Sequence, residues 1–199
     1  MKLLIDHETY LEALRYAGLS LGYTHFHKGW DATQDTFKQF LRIASGQIAQ
    51  KFVVRLLRAN GVEVQEDSTQ YTDTDDFDFR IKGILFDVKC SSHNAMPMQI
   101  TLPALQKRPD YFVFCRLTLD MKIIEIAGVV QARKATESPY FVAHRQVIPH
   151  THLAQQFEQG SYFYTAEYQA FDKIIDWGRD MIDSPSRQNP HPAGKERGL

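Results

Sequence analysis

The sequence predicts an α/β fold, a mixed β-sheet flanked by helices, for most of its 199 residues. Three observations predict it. Segments near the N-terminus repeat apolar residues at helical spacing. Alternating or continuous apolar runs of strand length follow them. The order of these pieces is helix, strand, hairpin strands, short helix, strand, which is the grammar of an α/β core rather than of a bundle or a sandwich.

Taken in order, residues 7 to 17 place Tyr10, Leu14 and Ala17 at helical spacing, with Gly18 as the expected stop. The segment LGYTHFHKGWD reads as a loop. A second helix is expected over residues 32 to 45 from Phe37, Phe40, Leu41 and Ala44, capped by Asp31 or Thr33. SGQIAQKFVVRLLRANG then carries a stripe of Ile48, Phe52, Leu56 and Ala59, widened by Val53 and Leu57. Asn60-Gly61 ends it, since both residues tolerate the left-handed conformation. VEVQED alternates like a strand, and STQYTDTDD reads as a polar loop.

DFDFRI and ILFDVKCS alternate strictly on either side of Lys82-Gly83, the pattern of a hairpin. A short helix is expected within residues 99 to 108, opened near Thr101-Leu102-Pro103. YFVFCRL and KIIEIAGVV are two more strands, the first apolar throughout and therefore central. Beyond residue 131 the pattern weakens to short strands, one at YFYT, and a helix around residues 168 to 182. Residues 1–183 read as one domain with its core at about 46–130, and the proline-rich polar residues 184–199 as a disordered tail.

Composition narrows the function classes. With 43% hydrophobic and 24% charged residues, a core can form without disulfides. Cys90 and Cys115 each sit in an apolar run and are expected as buried thiols, too few for a disulfide framework or a cysteine metal site. No apolar stretch is long enough for a membrane span, and MKLLIDHETY turns acidic too early for a signal peptide, so a cytoplasmic location is expected. The net charge of -1 is less basic than nucleic-acid binders commonly are. The acidic residues are bunched, however: Glu66, Asp67, Asp73, Asp75, Asp76 and Asp78 lie in one segment. An acidic metal pocket within a basic groove is compatible with a near-neutral total.

The hairpin holds the chemistry. Alternation puts Leu85, Asp87 and Lys89 on one face, with Phe86, Val88 and Cys90 turned to the core. On the other arm Asp76, Asp78 and Arg80 share a face, and Phe77, Phe79 and Ile81 take the core side. Two carboxylates and an ammonium thus converge, which is what phosphodiester hydrolysis requires. A hard divalent cation takes carboxylate oxygens, and a cation offsets the charge gathering on phosphate. The competing reading is a solvated charged face with a weak ion pair. Against it, charges on so apolar a strand are partly buried.

The run Asp78-Phe-Arg-Ile-Lys-Gly-Ile-Leu-Phe-Asp87-Val-Lys89 resembles the signature hairpin of the PD-(D/E)XK nuclease superfamily. There a metal-binding aspartate is followed, after a short turn, by an acidic residue, any residue, and lysine. The likeness covers about residues 46 to 92, and more weakly the sheet to about residue 130. It implies a restriction-endonuclease-like core and a metal-dependent endonuclease. Asp78 and Asp87 would hold Mg²⁺, for which Mn²⁺ would substitute, and Lys89 would assist hydrolysis. DNA is the implied substrate, with RNA as the other candidate. The implied settings are restriction, phage defence or DNA processing, and a homodimer would supply two centres for two strands. Phe77 stands where the family's proline often does. Where many members carry a helix glutamate, this chain has Gln47 or Gln50; Gln47 is the expected auxiliary, and Asp76 an alternative ligand. The loss of that glutamate is what would favour a catalytically silent nuclease-like domain that binds nucleic acid or a protein partner.

Other residues carry weaker signals, each with a plainer structural reading. They are the His25 and His27 pair; Ser91, Ser92 and His93 beyond the lysine; Gln99, Lys107 and Arg108; the basic group Arg133, Lys134, His144 and Arg145; and the aromatics Trp30, Tyr140, Phe141, Tyr162, Phe163 and Tyr164.

Overall fold

A computed structural model describes residues 2–27, 35–67, 77–92, 98–100, 107–133, 141–142, 161–164, 175–176 and 178–179. Its elements are β1 (Lys2–Leu4), α1 (His7–His27), α2 (Thr36–Ala59), β2 (Gln65–Glu66), β3 (Phe79–Ile81), β4 (Ile84–Ser92), β5 (Met98–Ile100), β6 (Tyr111–Leu117), β7 (Ile123–Gln131), β8 (Phe141–Val142) and β9 (Ser161–Tyr164). Six strands form one mixed sheet in the order β1-β7-β6-β4-β3-β2, and β5-β9-β8 form a second. The α/β class expected from the sequence is the one observed. Among the described residues no helix is long and apolar enough to cross a membrane.

The two expected helices over residues 32 to 59 are one. α2 runs through Gly46, whose absent side chain costs about 1 kcal/mol relative to alanine. Burial outweighs that cost, because Ala44, Ser45, Ile48, Ala49, Phe52, Val53, Val54 and Leu57 make one continuous buried stripe. The cap is Asp35, which accepts from the Lys38 amide at 3.1 Å; Asp31 and Thr33 lie outside the described residues. At the far end Gly61 adopts φ +79 and Val62 N donates to the Leu57 carbonyl at 3.0 Å, so Asn60-Gly61 is the stop its residues predict.

α1 continues past Gly18 and takes in the first part of the expected loop. Nothing lies within 4 Å of a Cβ at Gly18; helical continuity there is set by what flanks it. Thr9, Ala13 and Ala17, four residues apart, are buried, and α1 packs against α2 along them. Arg55 of α2 bridges Asp6, Glu8 and Glu12, and Lys51 reaches Glu12 at 3.2 Å. At the helix start Asp6 accepts from the Thr9 amide and hydroxyl. Burial pushes its carboxyl up, but these bonds and Arg55 outweigh that and hold it below the usual aspartate value.

α2 also packs on β4 and β6. The core between helix and sheet is built from Ile48, Phe52, Val53 and Leu57 against Phe79, Ile81, Phe86, Val88, Val113 and Cys115. Phe79 stacks on Phe86 with centroids 4.9 Å apart. β6 lies between β4 (parallel) and β7 (antiparallel), the central position its apolar sequence predicts. Lys82 and Gly83 both have positive φ, 47 and 85, as a two-residue hairpin turn of the primed kind requires.

Other expectations change. VEVQED contributes only Gln65–Glu66 as strand. Met98–Ile100 is a strand, not the start of a helix, while residues 101–106 lie outside the described residues. β1 was not expected; it pairs antiparallel with the edge of β7 through Lys2↔Glu125 and Leu4↔Ile123. Near the C-terminus residues 175–176 and 178–179 are helical, within the expected helix. Ile175 joins the core, and Arg179 hydrogen-bonds the carbonyl of Asn60 at the end of α2. The tail from residue 184 lies outside the described residues.

Candidate active site

β4 has two unlike faces, as its alternation requires. Phe86 and Val88 enter the core under α2, and Asp87 and Lys89 occupy the opposite face. On that second face Asp87 is in register with Phe112 and Lys89 with Phe114, both fully buried. The Lys89 ammonium lies 6.0 Å from the Phe112 ring centre, a cation–π approach.

β3 begins at Phe79, which pairs with Phe86, so Asp78 stands one step before it, beside Asp87. Its main-chain N–H donates to the Phe86 carbonyl at 3.1 Å. Its carboxylate Oδ2 accepts from the Val88 N–H at 2.5 Å. The side chain takes the place of the next backbone acceptor, which explains why a carboxylate is tolerated at 7% exposure.

Asp87 is more deeply buried, at 1% exposure. Lys89 forms an ion pair with its Oδ2. That approach lacks hydrogen-bond geometry, so Oδ2 is buried with an ionic partner and no hydrogen-bonded one. Lys89 is 24% exposed along its side chain, so it is less covered than its partner.

α2 touches this site through an amide. Gln50 Nε2 donates to the Asp78 carbonyl at 3.2 Å, and Gln47 Nε2 donates to Gln50 Oε1 at 3.0 Å. Gln50 therefore holds the strand that carries Asp78, and Gln47 supports Gln50. Asp76, the alternative ligand, lies outside the described residues. Of the bunched acids, Glu66 is paired with Arg58 at 2.7 Å.

The arrangement suits a hard cation in its donor chemistry. Two carboxylates lie side by side, and one buried oxygen, ion-paired with Lys89, has no hydrogen bond and is a donor that a hard cation can take. Among the described residues no group of three or more histidine, cysteine, aspartate or glutamate side chains forms a metal cage. Asp78 and Asp87 would have to share the ion with water and substrate oxygens, the usual mode for Mg²⁺.

The remaining candidates do not join this cluster. His25 and His27 fall in the last turn of α1, with side chains outside the described set. Ser91 is on the Asp87–Lys89 face, in register with Arg116. Arg116 in turn pairs with Glu125 at 3.7 Å. Lys107, Arg108 and Arg133 lie outside the strands, near the start of β6 or the end of β7. The side chains of Ser92, Gln99, Phe141, Tyr162, Phe163 and Tyr164, and all of Trp30, His93, Lys134, Tyr140, His144 and Arg145, lie outside the described residues. Cys90 and Cys115 are in register on the core face as free thiols, and burial pushes Cys90 up to about 12. Both pack in or against the core.

No protein-family model matches the chain, and no curated protein matches it.

Proposed function

We propose that this protein is a Mg²⁺-dependent nuclease that hydrolyses phosphodiester bonds in DNA, with a restriction-endonuclease-like core of the PD-(D/E)XK kind. One observation carries the reading. Asp78 and Asp87 lie side by side across a hairpin, both buried, with the Lys89 ammonium against Asp87. Two carboxylates buried side by side, with a partly exposed ammonium against one of them, are costly unless the site uses them. The chain order α2, β2, β3–β4 hairpin, β5, then β6 parallel to β4 is compatible with the mixed, helix-flanked sheet that the resemblance implies.

In this reading Asp78 and Asp87 hold the cation through carboxylate oxygens. When bound, the cation supplies Lewis-acid stabilisation of the charge that gathers on a phosphate. Lys89, kept in place by Asp87, donates hydrogen bonds toward the attacking water and the phosphate oxygens, and its charge offsets theirs. Gln50 fixes the main chain of Asp78. Val88 N–H fixes the Asp78 carboxylate, so the site is set before substrate arrives.

The test is cleavage of plasmid, single-stranded DNA and RNA with Mg²⁺ or Mn²⁺, comparing wild type with Lys89→Ala. Metal-dependent cutting of DNA that falls by roughly a hundredfold or more in the variant is expected. Preferential cutting of RNA would change the substrate class. Absence of cutting with every substrate and metal would instead favour the silent nucleic-acid- or protein-binding domain. One observation favours that second reading: α2 offers the site an amide where a carboxylate would bind metal better.

A further inference from the structure

The approach to Asp78 and Asp87 is unequal on its two sides. Toward β6 the same face is closed, since Phe112 and Phe114 are fully buried. Toward β2 it is less covered: Phe77, Arg80 and Leu85 are each half-buried. Arg80 is in register with Leu85 on β4 and Gln65 on β2. It lies two residues from Asp78 on one face, about 6.6 Å along the strand.

Two neighbours hold the Arg80 guanidinium. Nε donates to Gln65 Oε1 at 2.7 Å, and Cζ lies 5.6 Å from the Phe77 ring centre. These contacts use Nε and one face of the plane. Among the described residues none engages its terminal nitrogens, the pair that grips a phosphate in forked fashion. Beside it is a cleft of about 290 Å³ lined by Glu63, Gln65, Arg80, Lys82 and Gly83. A strand joint between β2 and β3 would need only the Gln65 bond. The aromatic backing adds orientation to a side chain that otherwise loses much rotamer freedom on binding.

We propose that Arg80, oriented by Phe77 and Gln65, binds the DNA phosphate next to the one that reacts at Asp78 and Asp87, with Lys82 further out on the same path. The proposal rests on the nuclease reading and names the side from which the DNA strand enters. Arg80 is a binding residue here; Phe77 and Gln65 position it.

The test uses labelled single-stranded DNA bound to full-length Lys89→Ala protein in Mg²⁺ over a range of salt, with and without Arg80→Ala. Loss of one phosphate contact should weaken binding by roughly tenfold and flatten the log–log salt slope by about 0.7. Phe77→Leu should weaken binding by a few-fold with the slope unchanged, because the charge remains. Arg80→Lys serves if Arg80→Ala does not fold: it should keep the slope and lose affinity. Equal affinity and slope with and without the arginine would overturn the proposal even where wild type cuts DNA. No DNA binding by the Lys89→Ala protein, together with no cutting by wild type, would remove the nuclease reading and this one with it.

Discussion

Asp78 holds the main chain on both sides of Asp87. Its N–H reaches the Phe86 carbonyl at 3.1 Å, and its carboxylate takes the Val88 N–H at 2.5 Å. One residue thus ends a strand ladder through its main chain and sets the backbone around the second carboxylate through its side chain. The two acids are not independent: the position of Asp87 depends on the one beside it.

This coupling predicts a split between Asp78 variants. Asp78→Ala leaves the buried Val88 N–H without its acceptor, at a cost of about 1–3 kcal/mol, and also removes a carboxylate from the proposed metal site. Asp78→Asn keeps an amide oxygen for Val88 and should stay within about 1 kcal/mol of wild type. Both should lose nearly all cleavage. Denaturant unfolding alongside a cleavage assay checks this. An Asn variant as unstable as the Ala variant would refute the capping role.

Asp87 should report the metal directly. With Oδ2 buried and not hydrogen-bonded, a divalent ion binding there stabilises the folded state by mass action, roughly 1.4 kcal/mol at ten times its Kd. For a chain of this size that is a rise in Tm of about 3–5 °C. Wild type should show the rise in Mg²⁺ or Mn²⁺, and Asp87→Asn should not. Without metal, Asp87→Asn should melt below the wild-type temperature, because it leaves the Lys89 ammonium without its carboxylate partner. An equal metal-induced rise in both proteins would place the ion elsewhere.

The hairpin was legible because its signals are local. Period-two alternation set the faces of Asp78, Asp87 and Lys89, and Lys82-Gly83 set the turn. The capping bond from Asp78 to Val88 was not legible, since it depends on β3 ending one residue before β4's need for an acceptor does. The helices were divided wrongly for the converse reason. Gly18 and Gly46 are local breakers, whereas the burial of Ala13, Ala17, Ile48 and Ala49 that overrides them is a tertiary effect. β1 is three residues long and gains its strand from β7, so no pattern of its own announces it.

The choice between Gln47 and Gln50 also needed the helix's rotation. Gln50 bonds the Asp78 carbonyl and Gln47 only reaches Gln50, so their variants should rank. Gln50→Ala removes a bond to the strand of the site and should cost about 1 kcal/mol of stability, with a cleavage loss of roughly tenfold. Gln47→Ala should do less in both measurements. Gln50→Glu exchanges the donor for a carboxylate facing a carbonyl and should destabilise more than Gln50→Ala. A larger cleavage loss for Gln47→Ala than for Gln50→Ala would return the auxiliary role to Gln47.

The C-terminal helical residues contact the far end of α2, and one glycine sets how closely they can do so. A Cβ on Gly178 would fall 2.8 Å from Val62 Cγ1 and 3.1 Å from Cγ2, with Val62 itself buried. Alanine improves helix propensity by about 1 kcal/mol. The overlap with a β-branched side chain costs more, about 1–3 kcal/mol, because Val62 has no rotamer that removes both methyl groups. Gly178→Ala should therefore lower stability by about 1 kcal/mol net. Val62→Ala frees the space, so the double variant should be more stable than the sum of the singles requires, a coupling read from a double-mutant cycle. Strict additivity would mean that the helix at residues 178–179 does not pack on Val62 in solution.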